Sequence, residues 1–137
     1  MTAKARVRIR IESRSGSETT VQKARGDLYR KGNHTYIRYE EEPNELGRTV
    51  TLIKLEENLI RIVRQGDVQA EQTFVAGEKR IGYYQTPQGR LELEIETHEL
   101  KSDEAEQGIG ITRWSYDLYA SGAHAGAYRI KLLIQEE

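Results

Sequence analysis

Arg6-Val7-Arg8-Ile9-Arg10-Ile11-Glu12 alternates a charged and an aliphatic side chain at every step. Successive side chains of a β-strand point to opposite faces, so this pattern describes a strand with one face in a core and one in water. A helix would need apolar residues at spacings of three and four, and no long window offers them. The same period returns further on. Leu91, Leu93 and Ile95 alternate with Glu92, Glu94 and Glu96, and Tyr128, Ile130, Leu132 and Ile134 alternate with Arg129 and Lys131.

Between these strands, turn signals recur at short intervals. They include Ser15-Gly16-Ser17, Lys31-Gly32-Asn33, Pro43-Asn44-Glu45-Leu46-Gly47, Gln65-Gly66-Asp67 and Ala76-Gly77-Glu78. Thr86-Pro87-Gln88-Gly89 is the most legible. Proline pre-sets φ for the second turn position and glycine accepts the positive φ on exit, so a tight hairpin joins Lys79–Thr86 to Arg90–Lys101. The remaining pattern predicts strands near 4–14, 18–31, 35–42, 48–56, 59–65, 68–75, 79–86, 90–101, 110–121 and 127–136. Consecutive strands with short connections form an antiparallel meander, and closing it removes the exposed edges. The expected fold is all-β: one up-and-down barrel of eight to ten strands spanning residues 1–137, with a sandwich as the alternative. Gly26 and Gly82 sit inside strand patterns and predict bends or bulges. Residues 102–109 read as a mobile polar loop, and His34 and His124 as turn residues.

Composition narrows the function classes. The chain has 137 residues, enough for one domain. It holds no cysteine, which removes disulfides, thiolate metal sites and a cysteine nucleophile. No apolar run approaches the roughly 18 residues of a membrane helix. Met1-Thr2-Ala3-Lys4-Ala5-Arg6 does not lead into a signal-peptide apolar stretch, so a cytoplasmic location is expected. There is no Gly-x-Ser-x-Gly elbow, phosphate loop or dinucleotide fingerprint, and a non-enzymatic role without a cofactor is expected. No metal is expected either. His34, His98 and His124 are scattered, and His98 lies on the solvent-facing row of Glu92, Glu94 and Glu96.

Several stretches, in order, resemble the YwiB-like family of uncharacterised bacterial calycin-type barrels. They include Gly26-Asp27-Leu28-Tyr29-Arg30-Lys31-Gly32, Tyr36-Ile37-Arg38-Tyr39-Glu40-Glu41, Ile60-Arg61-Ile62-Val63-Arg64-Gln65-Gly66 and Gln72-Thr73-Phe74-Val75-Ala76-Gly77-Glu78. Gly82-Tyr83-Tyr84-Gln85-Thr86-Pro87-Gln88-Gly89 and Tyr116-Asp117-Leu118 extend the likeness over most of the chain. Gln88 departs from it, standing where this family's turn has an aromatic residue. The resemblance implies a lipocalin-like barrel of bacterial origin and no particular activity.

Two features could carry function. On the strand Leu59–Gln65, the row Ile60, Ile62, Arg64 competes with Leu59, Arg61, Val63 for the inner face. If the first row points inward, Arg64 lies at the barrel mouth, where it either anchors a small anionic ligand or closes the barrel against backbone carbonyls. Tyr39, Gln72, Tyr84, Thr86 and Tyr116 are then expected around the same ligand-binding cavity, with Trp114 in the core. The second feature is charge. The net charge is −1, yet residues 1–38 hold ten Lys and Arg against three Asp and Glu, and the rest hold eleven against nineteen. In a closed meander the first strand meets the second and the last. That gathers Arg6, Arg8, Arg10, Lys23, Arg25, Arg129 and Lys131 on one basic outer face. Such a face could meet nucleic acid or another polyanion, or the acidic row of a second copy in a homo-oligomer. The small-ligand reading is preferred to both.

Overall fold

The computed structural model describes residues 3–41, 47–106 and 109–137. They form ten antiparallel strands in a closed barrel, and every strand neighbours its successor. The strands are β1 (Ala3–Ser15), β2 (Glu18–Lys31), β3 (His34–Glu40), β4 (Thr49–Glu56) and β5 (Leu59–Gly66). They continue as β6 (Gln69–Val75), β7 (Lys79–Thr86), β8 (Gly89–Glu106), β9 (Ile109–Ala120) and β10 (Ala123–Glu136). β1 closes the barrel against β10, with Ile9 opposite Ile134 and Ile11 opposite Leu132. No helix among the described residues is long and apolar enough to cross a membrane.

The period-two rows become the barrel interior. Val7, Ile9, Leu28, Ile37, Ile53, Ile60, Phe74, Ile95, Leu132 and Ile134 are all buried and form one core cluster. Their alternating neighbours, such as Arg8, Arg10, Arg38 and Arg61, are exposed. The low hydrophobic content suffices because only one face of each strand enters the core.

Gly26 and Gly82 lie at close backbone approaches. A Cβ at Gly82 would stand 2.1 Å from the carbonyl oxygen of Glu71, and one at Gly26 would stand 2.4 Å from that of Arg38. Only glycine allows the neighbouring strand so near, which is how the barrel bends there. β6 and β7 share only the pairs Gln69–Gln85, Ala70–Tyr84 and Glu71–Tyr83. The connection beyond Val75 bonds to β8 instead, through Gly77 N–H to Thr97 O (2.8 Å) and Thr97 N–H to Glu78 O (3.1 Å).

Three sequence expectations change. Ser102–Glu106 continues β8 and pairs with β9, so most of the expected 102–109 loop is strand; residues 107–108 lie outside the described residues. His34 opens β3 and His124 lies in β10, not in turns. β8 also carries a register shift between Thr97 and Glu99. One extra residue in a strand exchanges its two faces. Glu92, Glu94 and Glu96 face outward before the bulge, whereas Glu99 and Lys101 are exposed after it and Leu100 packs against the core. Of the expected 43–47 turn, residues 43–46 also lie outside the described residues.

Candidate functional site

Cross-strand register brings the inner polar residues onto one ring of the barrel. Tyr39 on β3 stands opposite Thr51 on β4, Thr51 opposite Arg64 on β5, Arg64 opposite Ala70 on β6, and Ala70 opposite Tyr84 on β7. All five belong to inward rows, so the row Ile60, Ile62, Arg64 is the one that faces the interior. Ala70 is small, and across it the Arg64 guanidinium reaches to 5.9 Å from the centre of the Tyr84 ring.

Tyr39, Thr51 and Arg64 of this ring line a pocket of about 360 Å³ that is set among the inward rows and open to solvent at the barrel mouth beside the exposed Gln22. Aliphatic side chains fill the barrel on one side of it. Ser13, Gln22, Glu41, Arg64, Gln72 and Tyr116 supply polar groups to its wall, beside Phe74 and Trp114. The ring centroid of Phe74 lies 4.8 Å from that of Tyr116, and Tyr116 stacks on Tyr128 at 5.3 Å, which locks this wall in place.

Arg64 has a side-chain partner that the sequence reading did not name. Its Nε and Nη2 each donate to Glu41, at 2.8 Å in both cases, forming a two-pronged charge-assisted pair. The Thr51 hydroxyl donates to the same carboxylate. The Glu41 side chain is 11% exposed and that of Arg64 28%, so the pair is largely shielded. Burial alone would raise the Glu41 carboxyl, but the bonds from Arg64 and Thr51 outweigh it and hold the group below the usual carboxylate range. The pair likewise holds the Arg64 guanidinium charged, against its own desolvation. Burial, assisted by the Glu41 charge, pushes the Tyr39 hydroxyl up to about 12. Burial also raises the Tyr116 hydroxyl. Both phenols are therefore neutral hydrogen-bonding groups at physiological pH. Trp114 is 4% exposed, and its Nε1–H has no hydrogen-bond partner among the described residues.

Of the expected cavity residues, Arg64, Tyr39, Gln72 and Tyr116 line it, and Tyr84 flanks it through Arg64. Thr86 does not line it: its hydroxyl accepts from Gln88 N–H at 3.2 Å and closes the β7–β8 turn. The missed Glu41 had a signal. It follows Ile37 and Tyr39 at period two, so an extended chain carries it to the same face.

The basic outer residues also come together. Arg8 stands opposite Arg25 and Arg10 opposite Lys23, while Lys131 lies opposite Glu12 and Arg129 opposite Arg14. Some are held by acids: Arg6 by Asp27 (3.3 Å) and Glu137 (3.7 Å), Arg25 by Glu137 (3.5 Å), and Arg10 (3.2 Å) and Lys131 (4.0 Å) by Glu12. Elsewhere on the outside, Asp117 accepts from His98 and His124 at 2.6 and 2.9 Å, which lowers its carboxyl. Among the described residues no group of three His, Cys, Asp or Glu is placed to hold a metal ion.

Comparison with known proteins adds a lineage to this geometry. The chain is 33% identical over 109 residues, 80% of its own length and 75% of the other's, to the uncharacterised β-barrel protein YwiB of Bacillus subtilis (strain 168). It is also similar to the crystal structure of the ywiB protein from Bacillus subtilis. That match has a TM-score of 0.73 and 25% identity, and covers 99% of this chain and 93% of the other. Residues 5–132 match a family described as a domain of unknown function, DUF1934. The ten-stranded barrel and the ordered motifs along it thus place this chain in the DUF1934 family, together with the uncharacterised β-barrel protein YwiB.

Proposed function

We propose that the protein is a non-enzymatic binding protein that takes a small ligand into the barrel, as calycin-type barrels do. The pocket in the barrel mouth carries this reading. Its volume of about 360 Å³ falls within the range of small-molecule sites, roughly 300–1,000 Å³, in which a few polar groups orient a mostly apolar guest. Tyr39, Gln72 and Tyr116 are the orienting groups.

The Glu41–Arg64 pair alters the expected ligand. A free inward guanidinium would favour an anion, but Glu41 already compensates this charge with two short bonds. The better guest is a neutral or zwitterionic molecule with a planar apolar body, lying against Phe74 and Tyr116 and exchanging hydrogen bonds with Gln72.

The test is a thermal-shift screen of small metabolites, followed by ligand-observed NMR on any hit. A hit should stabilise the protein and lose at least tenfold in affinity on Gln72→Leu. A hit whose affinity is unmoved by both Gln72→Leu and Tyr116→Phe, or a panel without any shift, would overturn the reading.

A further inference from the structure

We propose that the outer surface of β2, β1, β10, β9 and β8 binds the phosphate backbone of double-stranded nucleic acid, independently of the pocket in the barrel mouth. The observation behind this is a run of like charges placed directly opposite one another. Arg8 faces Arg25 and Arg10 faces Lys23 across β1 and β2. Arg14 faces Arg129 across β1 and β10. Lys131 faces Arg113 across β10 and β9, and Arg113 in turn faces Lys101 across β9 and β8. Like charges directly opposite destabilise a strand pair. Packing therefore gives no reason for five such juxtapositions on adjoining strands, whereas an anionic partner does.

Lys101 joins this surface only because of the bulge in β8. A strict period of two from Glu92 would have turned it inward.

The cations are available. Arg8, Arg14, Lys23, Lys101, Arg113 and Arg129 are exposed and make no ion pair among the described residues. Only Arg10 and Lys131 (both with Glu12) and Arg25 (with Glu137) are engaged, at 3.2 to 4.0 Å. Two open grooves lie on the surface. Arg8, Arg10, Lys23 and Arg25 line one of about 650 Å³, together with Glu40. Arg14, Lys101, Arg113, Arg129 and Lys131 line the other, of about 800 Å³, together with Glu12 and Glu99.

Dimensions favour a duplex over a single strand. Five adjacent strands span about 19 Å at ~4.8 Å per step, and Arg8 to Arg14 spans about 20 Å at ~3.4 Å per residue. A duplex presents a phosphate every ~1.7 Å of axis, so a patch of this size meets several at once. Single-strand binding leans on base stacking, and the outward positions beside these cations carry no aromatic ring.

The experiment measures fluorescence anisotropy of the full chain with labelled 20-base-pair DNA and RNA duplexes at 50 and 200 mM salt. Binding to either duplex is expected, weakening about a hundredfold between the two salts if about four phosphates are neutralised. Arg8→Glu with Arg113→Glu should weaken binding at least thirtyfold at 50 mM and flatten the log–log salt slope by about two. Its melting temperature should hold or rise, because like-charge repulsion is relieved. Should that variant fail to fold, the neutral pair Lys23→Gln with Lys101→Gln should still weaken binding several-fold. Lack of duplex binding at 50 mM, or affinity unchanged within twofold in the variants, would overturn the proposal. So would binding to phosphatidylserine vesicles without binding to duplex, which would assign the face to a membrane surface. Because the readout does not involve the cavity, Gln72→Leu should leave it unchanged.

Discussion

Breaking the Glu41–Arg64 pair should reveal opposite pH behaviour in two variants. Wild-type Glu41 is held below its ordinary value by Arg64 and Thr51, against the upward pull of burial. A carboxyl lowered in the folded state adds stability above its unfolded pKa, and that contribution is lost as pH falls through the lowered folded value. Wild type should therefore lose this increment on acidification below about pH 5. In Arg64→Met the two 2.8 Å bonds disappear, the desolvated carboxylate stays behind, and its pKa rises. This variant is penalised at neutral pH and regains part of the loss as Glu41 takes a proton. Charge-assisted bonds contribute about 1.5–3 kcal/mol each before the costs of burying both ions. The coupling from a cycle of Glu41→Gln, Arg64→Met and the double variant should then be about 2 kcal/mol. The double variant should be more stable than Arg64→Met alone, since no charge remains unpaired. Urea unfolding at pH 7.5, about pH 4.5 and about pH 3 measures each quantity, the lowest pH reaching the window in which wild type loses the increment. A coupling below about 0.5 kcal/mol, or the same pH trend in Arg64→Met as in wild type, would refute the reasoning.

Three further outcomes are expected. Gly82→Ala should lose roughly 2–4 kcal/mol in urea unfolding, because its Cβ would stand 2.1 Å from the Glu71 carbonyl oxygen and one strand must move. Phe74→Ala should lose about 3–5 kcal/mol and enlarge the cavity, so that benzene-sized apolar guests stabilise it more than wild type; an equal thermal shift in both would count against the cavity's position. By carbon-detected NMR, Asp117 should titrate below the ordinary aspartate range and move back towards it on His98→Ala or His124→Ala, because both histidines bond its carboxylate. Whatever stability that cluster adds is present above the ordinary aspartate pKa and fades as pH falls through the lowered value.

Much of the architecture was legible because strand periodicity is a local property. Arg6 to Glu12 needs no distant partner to show which side chains share a face, and the Thr86–Gly89 turn announces its own hairpin. The inward course of Arg64 was readable only as one of two rows, because alternation does not say which face is the core. The expected 102–109 loop misled because its polar composition reads as a connection, whereas Ser102–Glu106 pairs with β9; the bulge at Thr97–Glu99, which exchanges the faces of everything after it, has no mark in the local composition. Thr86 misled because its hydroxyl is satisfied within its own turn.

By itself, then, the chain determined that it is built of strands, where they turn, and that its charges divide between the first 38 residues and the remainder. Only the closed barrel decided who meets whom. Glu41 and Arg64 lie 23 positions apart and become partners because the registers of β3, β4 and β5 bring their ends together on one ring. Arg113 and Lys101 join the basic surface because β8 and β9 pair beyond the bulge. Alternation is set by backbone geometry between neighbouring residues, whereas contacts across strands depend on register, which the whole barrel fixes at once.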